Sequence, residues 1–233
     1  MNGIEDLVAP QWDAADLENV VREAIPETNT FRASSRDPAT IAALNPRLIA
    51  AGYASETRVA MVQVSTPSLF AGEGRSGGYT MVPVRTEESW AAFEGLIHAD
   101  TQEHGWTDRM RVQLNALYRW RAANTPHHFY LANDGTRAVG HVGLFQHGTS
   151  AYLHALYTHP SARRHGAGAA LTLAMSAEAR VLGCDRLTLQ CTRDSSLPAY
   201  YQRLGFRTVG EKQIWTRPRL IPSPLAGEGR GGG

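Results

Sequence analysis

The chain has 233 residues, 42% of them hydrophobic, and a formal net charge of +1. That is enough chain to bury one large core, or one domain with a smaller piece attached. The near-zero charge gives no basic field for nucleic acid, and no apolar run approaches membrane-spanning length, so neither partner is expected.

The segment Met1-Asn2-Gly3-Ile4-Glu5-Asp6 has no basic stretch and no apolar run. No signal peptide is predicted there, and a cytoplasmic location is expected. Within residues 1–65, Asp37-Pro38-Ala39-Thr40 predicts a helix start, with the helix ending at Gly52-Tyr53. A strand over 57–64 follows. Residues 67–78, rich in glycine, recur as residues 222–233 with nine of twelve positions identical. Neither copy has apolar periodicity or a helix behind it, so 66–78 is expected as a flexible linker and 218–233 as a flexible tail.

The main region runs over 79–217. Residues 79–85 alternate as a first strand, and Thr86 caps a helix running to Glu103. Thr107 caps a second helix to Arg121, with Met110, Leu114, Leu117 and Trp120 expected along one face. Trp90, Trp106 and Trp120 are expected in the core, with a wall of an acceptor pocket the alternative for one of them. Strands follow at 128–132, 138–146 and 151–158, joined by hairpin turns at Asn133-Asp134-Gly135 and His147-Gly148-Thr149. A helix over 167–182, a strand over 186–191, a short helix over 197–203 and strands over 206–210 and 212–217 complete the series. Cys184 and Cys191, the only cysteines, flank or end a core strand and are expected as buried thiols. All nine histidines lie between His98 and His165, yet none shows the helical H-x-x-x-H spacing, so no metal site is expected.

The run from Thr158 to Ala169 carries the chemistry. Arg163-Arg164-His165-Gly166-Ala167-Gly168 lies between a strand and a helix. A helix start of this kind leaves backbone N–H groups unpaired, and the helix dipole and two arginines add positive potential for a phosphate or diphosphate. Glycine at 166 and 168 allows an anion close to the backbone. The spacing is neither that of the triphosphate loop nor that of the dinucleotide fingerprint.

Arg163-x-x-Gly166-x-Gly168, followed in order by Leu197-Pro198-Ala199-Tyr200-Tyr201-Gln202-Arg203-Leu204-Gly205-Phe206, resembles the GNAT acetyltransferase superfamily over about 139 residues. The resemblance implies an α/β fold with a mixed sheet. It implies an enzyme that moves acetyl from acetyl-CoA to a small-molecule or peptide amine. A coenzyme A-binding module without catalysis is the alternative, and a pure interaction scaffold ranks third. Residues 1–65 are read either as a degenerate second half of the same fold or as a β-α-β extension covering a sheet edge.

The resemblance also implies roles for residues. The pantetheine arm would lie along Leu156, Tyr157 and Thr158, where the strands 151–158 and 186–191 part. The diphosphate would sit on Arg164, His165, Gly166, Ala167, Gly168 and Ala169, with Arg163 adding charge. Tyr201, four residues before Gly205, would protonate the leaving thiolate, unless it is a core residue and Tyr200 acts instead. Asp194 stands where the family carries an asparagine; it would cap the short helix or touch the cofactor. The family's strand glutamate is replaced by Tyr152. Strict alternation puts His154 and Leu156 on the same face, and His154 is the substitute base or, equally, a histidine bonded within the sheet. His98, Asp100 and Glu103 are further candidates.

Overall fold

The computed structural model describes residues 5–24, 30–64 and 78–218. Most of the 66–78 segment and nearly all of the 218–233 segment fall outside the described residues. In chain order the first elements are α1 (Ala14–Ala24), β1 (Thr30–Ser35), α2 (Pro38–Ala50) and β2 (Ala54–Val64). Then come β3 (Thr80–Pro83), α3 (Glu87–Glu103), α4 (Asp108–Asn124), β4 (His127–Asn133), β5 (Ala138–His147) and β6 (Ser150–Thr158). The series ends with α5 (Ala167–Val181), β7 (Arg186–Thr192), α6 (Leu197–Arg203) and β8 (Arg207–Pro218).

The chain divides into two compact units. The smaller holds Met1–Val59, Thr192–Ser195 and Gly210–Gly233; the larger holds Ala60–Cys191 and Ser196–Val209. In the smaller, α2 starts as its sequence dictates: Asp37 accepts a hydrogen bond from the Thr40 N–H at 2.7 Å, and Pro38 needs no donor partner. Helix α1 went unread in the sequence, although Asp13 caps it by accepting from the Ala15 and Asp16 N–H groups. Its Leu17 and Val21 pack with Phe31, Leu44, Leu48 and Trp215 in one core. Strand β1 pairs antiparallel with β8, from Thr30↔Pro218 to Ser35↔Gln213. Where two strands were expected near the C-terminus, β8 is continuous, because Gly210 does not interrupt it.

In the larger unit β3, β4, β5 and β6 pair antiparallel in that order, and β6 pairs parallel with β7. Helix α3 begins with a reciprocal cap, in which Thr86 Oγ1 accepts from Ser89 N–H and Ser89 Oγ accepts from Thr86 N–H. Trp90, Phe93, Leu96 and Ile97 of α3 pack on Phe129, Leu131 and Tyr157 of the sheet. Arg119 of α4 binds Glu87 and Glu94 and stacks over Trp90 at 5.0 Å, which ties α4 to α3.

The apolar row of α4 is largely turned outward. Met110 (45%), Leu117 (39%) and Trp120 (57%) are exposed, and Tyr118 is the buried residue of the helix. Of the three tryptophans expected in the core, Trp90 is buried, whereas Trp106 and Trp120 are exposed. Both cysteines are buried, as expected, and are not joined in a disulfide.

Candidate functional site

Between β6 and α5 the chain passes through a 3₁₀ turn at Pro160–Ala162. It then places Arg164 (φ 66°) and Gly166 (φ 92°) in the left-handed region. Such reversals gather backbone N–H groups into a concavity suited to an anion. Holding an arginine there costs on the order of 1 kcal/mol, a strain the surrounding structure must maintain. Gly166 is the N-cap of α5 and offers no side-chain acceptor, so the first-turn N–H groups at Ala167, Gly168 and Ala169 remain available. A Cβ on Gly166 would meet nothing within 4 Å, so the loop is open there. Tyr79 braces it by donating to the His165 carbonyl at 3.2 Å. These residues fit a diphosphate ester.

Arg163 is committed elsewhere. Its two terminal nitrogens donate to the Glu103 carboxylate at 2.8 and 2.5 Å, and its Nε donates to the Thr158 carbonyl at 3.0 Å. The guanidinium also lies 5.8 Å above the Tyr157 ring. The ion pair holds the Glu103 carboxyl below the usual carboxylate range. The loop's own side-chain charge thus rests on Arg164, which is exposed.

Strands β6 and β7 pair at three positions only, Ser150↔Arg186, Ala151↔Leu187 and Tyr152↔Thr188. Among the described residues, β6 has no β7 partner in register beyond Tyr152, and on that side the Thr158 carbonyl is taken by Arg163. A bulge lies in the same stretch: β5 advances from His141 to Gly143 while β6 moves back from Tyr157 to His154. Ala155 takes φ 49° there. The extra residue overturns strict alternation. Tyr152 and His154 share a face with Tyr157, and Leu156 is turned away from it. Nothing in an alanine announces a left-handed residue, so the sequence gives no sign of the bulge.

Tyr200 and Tyr201 separate clearly. Thr172 donates to the Gly168 carbonyl at 2.8 Å, and the Tyr200 ring packs beside the same turn of α5. The Tyr200 oxygen also lies 3.2 Å from where a Gly168 Cβ would stand. Tyr201 is buried, with its ring edge-on to Tyr200 and Phe206. Among the described residues its hydroxyl has no hydrogen-bond partner. Burial holds its proton well above the ordinary phenol range, and Tyr200, Cys191 of β7 and Tyr152 of β6 push the same way. Tyr201 therefore senses both strands at the point where they part.

His154 stacks on Tyr152, with ring centroids 6.0 Å apart and planes 10° apart. It meets His127 at 5.1 Å and Phe129 at 5.8 Å, both edge-on. Its Nε2 is buried without a hydrogen bond. Burial, then His127 and Arg121, lower its pKa to about 4. Asp100 pairs with His104 at 3.0 Å, and burial raises its carboxyl above the usual range. His98 is exposed on α3. Asp194, in the smaller unit, is exposed and pairs with Arg193 at 3.3 Å. It does not cap α6, whose N-cap is Ser196, without a side-chain bond. Among the described residues no group of three or more His, Cys, Asp or Glu side chains is set to hold a metal. No described helix is long and apolar enough to cross a membrane.

Sequence reasoning missed Gly143, which clears the space for His154, and the bond between Thr125 and His127. A glycine three residues after Gly140 inside a strand was the readable signal for the first.

Residues 88–206, just over half of the chain, match the acetyltransferase (GNAT) family. No curated protein matches the sequence significantly. Among solved structures, the chain is similar to a functionally unknown conserved protein from Staphylococcus epidermidis: TM-score 0.69, 11% identity, covering 94% of this chain and 84% of that one. It is similar to a GCN5-related N-acetyltransferase from Sphaerobacter thermophilus: TM-score 0.65, 13% identity, covering 86% and 65%. It is also similar to one from Kribbella flavida: TM-score 0.54, 17% identity, covering 86% and 74%. At these identities the likeness shows a shared fold.

Proposed function

Because the chain belongs to the GNAT acetyltransferase family, we propose that it transfers acetyl from acetyl-CoA to a primary amine by direct attack. What supports this most is one arrangement: the unpaired edge of β6 leads into an α5 N-terminus that no side chain caps. The cofactor supplies a thioester carbonyl as electrophile. Main-chain groups along Leu156, Tyr157 and Thr158, other than the Thr158 carbonyl held by Arg163, would orient the pantetheine arm as an added strand does. The N–H groups from Arg164 to Ala169 would hold the diphosphate.

His154 is the base in this reading. Neutral at pH 7, it accepts the proton of the acceptor ammonium as the amine attacks. Its depressed basicity makes it a transient carrier. Tyr201 is the acid, since its buried phenol keeps its proton until a thiolate develops beside it. Tyr200, packed against Gly168, supports the first turn of α5.

Calorimetry with coenzyme A, followed by a primary-amine screen read by thiol release, tests the proposal. Binding is expected, and Gly166→Val should abolish it, because φ 92° is strained for valine and its side chain would occupy the open loop. Absence of heat at roughly millimolar coenzyme A, where even a weak specific site would register, would remove the reading.

A further inference from the structure

Thr125, His127 and His128, where α4 gives way to β4, line a cavity of about 180 Å³ together with Arg85, Val84 and Phe129. That is room for about six waters, so its occupant is small. The polar side chains favour an anion. Arg85 is exposed and, among the described residues, forms no ion pair. None of the lining residues is acidic; Glu178 of α5 acts on Tyr130 but lies outside the lining. The C-terminal turn of α4 brings carbonyl dipoles of the opposite sign. There, however, the Arg121 carbonyl is taken by both the N–H and the hydroxyl of Thr125, and Arg121 itself sits in the turn.

The proton state of His127 is fixed. Thr125 gives its one hydroxyl proton to the Arg121 carbonyl at 2.6 Å, and the same oxygen lies 2.6 Å from Nδ1 of His127. Nδ1 is therefore the donor in the second bond, and Nε2 carries a lone pair. This Nε2 has no partner among the described residues and is not sealed from solvent. Burial, then Arg121 and His128, hold His127 below the ordinary imidazole range, so it is neutral at pH 7. His154, edge-on at 5.1 Å, is neutral too and adds no charge. The cavity also lies away from the diphosphate loop. His127 pairs with Phe145 and Phe145 with Tyr152, which stands roughly 20 Å of strand before Thr158.

We propose that this cavity binds a small carboxylate with a short apolar body, and that the carboxylate draws a solvent proton onto Nε2 of His127 as it binds. Arg85 supplies parallel N–H donors in the geometry that matches a carboxylate. Protonated His127 and the His128 ring add donors on the other side of the charge. Val84 and Phe129, both buried, with Pro83 and Ala122, form the apolar wall that a carboxylate's carbon body covers and an inorganic phosphate does not. The new Nε2–H bond takes its proton from water and returns it when the ligand leaves; no electron moves. Because free His127 is neutral, binding strengthens as pH falls. Phe145, stacked on His127 at 4.5 Å, holds the ring in place. The same chemistry serves a carboxylate carried by the amine acceptor or a separate small molecule, and kinetics distinguish the two.

Nitrogen NMR of histidine-labelled protein, with butyrate as the probe, tests the site without cofactor or acceptor. Butyrate is expected to turn Nε2 of His127 from its lone-pair form to its N–H form at pH 7. Calorimetry in two buffers of different ionisation heat should show proton uptake on binding, and tighter binding at pH 6 than at pH 8. Arg85→Gln should weaken binding about tenfold, and His127→Phe should abolish the proton uptake and the pH dependence. Thermal melts check that both variants fold. No response at roughly 10 mM butyrate, where even a site weaker than millimolar would register, overturns the proposal. So does binding that neither substitution weakens, or a preference for inorganic phosphate over butyrate. Where transfer is measurable, competition between butyrate and the amine assigns the carboxylate to the acceptor, and a non-competitive change in rate assigns it to a separate effector. Failure of the transfer reading leaves the binding result standing, because no acetyl-CoA enters that measurement.

Discussion

Gly143 and His154 face each other across β5 and β6, and the imidazole fills the space a side chain on Gly143 would need. A Cβ there would come within 2.5 Å of the His154 ring, closer than real contacts allow. The ring is held against the sheet by Tyr152, Phe129 and His127, so it has little room to yield. Gly143→Ala should displace it. A loss of about 1–3 kcal/mol in stability is expected, from overpacking, together with a drop in kcat. Urea melts and steady-state kinetics on the same preparation check this; an Ala variant with a normal pH–rate profile would show that the ring's position is immaterial.

Tyr201→Phe keeps the contacts with Tyr200 and Phe206 and removes only the hydroxyl. Because that hydroxyl has no bond to a described residue, stability should change little. Turnover should fall by about 10- to 100-fold while coenzyme A affinity stays within about twofold, the signature of an interaction made as the thiolate leaves. Tyr200→Phe should give the opposite division, with weaker coenzyme A binding through a loosened α5 and a smaller change in kcat.

The caps were readable from residue types alone: Asp37, Thr86 and Thr107 each sit where their side-chain oxygen meets an orphan N–H. The succession of helices and strands over 79–217 followed from turn residues and alternation. What could not be read was set by packing at a distance. The row Met110, Leu114, Leu117, Trp120 has helical spacing, but spacing does not say which face α3 will cover, and Tyr118 was the residue covered. Arg163 looked like a phosphate ligand because its partner, Glu103, lies sixty residues earlier. The left-handed Ala155 had no residue signature, and with it the true face of Leu156 was lost.

Two buried histidines make stability depend on pH. Burial lowers His141 to about 3 and His154 to about 4, against about 6.5 in an unfolded chain. Between those values the unfolded state binds the extra protons, so stability is full above about pH 6.5 and falls as pH drops. Each group contributes a slope on the order of 1.4 kcal/mol per pH unit. His104 acts in the opposite sense, since its bond to the Asp100 carbonyl raises it, but it is exposed and its effect is small. The lowered carboxylates titrate below this window. Melts between pH 5 and 7.5 should show the decline on the acid side, and His141→Leu should flatten it. A slope unchanged in that variant would assign the proton uptake elsewhere.

Glu103 neutralises the one loop arginine that is drawn away from the anion site. Glu103→Gln keeps the hydrogen-bonding shape and removes the charge, so Arg163 keeps its bond to the Thr158 carbonyl but no longer has an ionic partner. The potential at the head of α5 should become more positive. Coenzyme A, a polyanion, is expected to bind about two- to fivefold tighter at low salt, with the gain shrinking as ionic strength rises. Calorimetry at two salt concentrations measures this. Arg163→Gln in the Glu103→Gln background should erase the gain, because the freed guanidinium is its source. Equal affinity in all three proteins at low salt would mean that Arg163 is too far from the phosphates to act on them, and that the loop binds through main-chain donors, Arg164 and His165 alone.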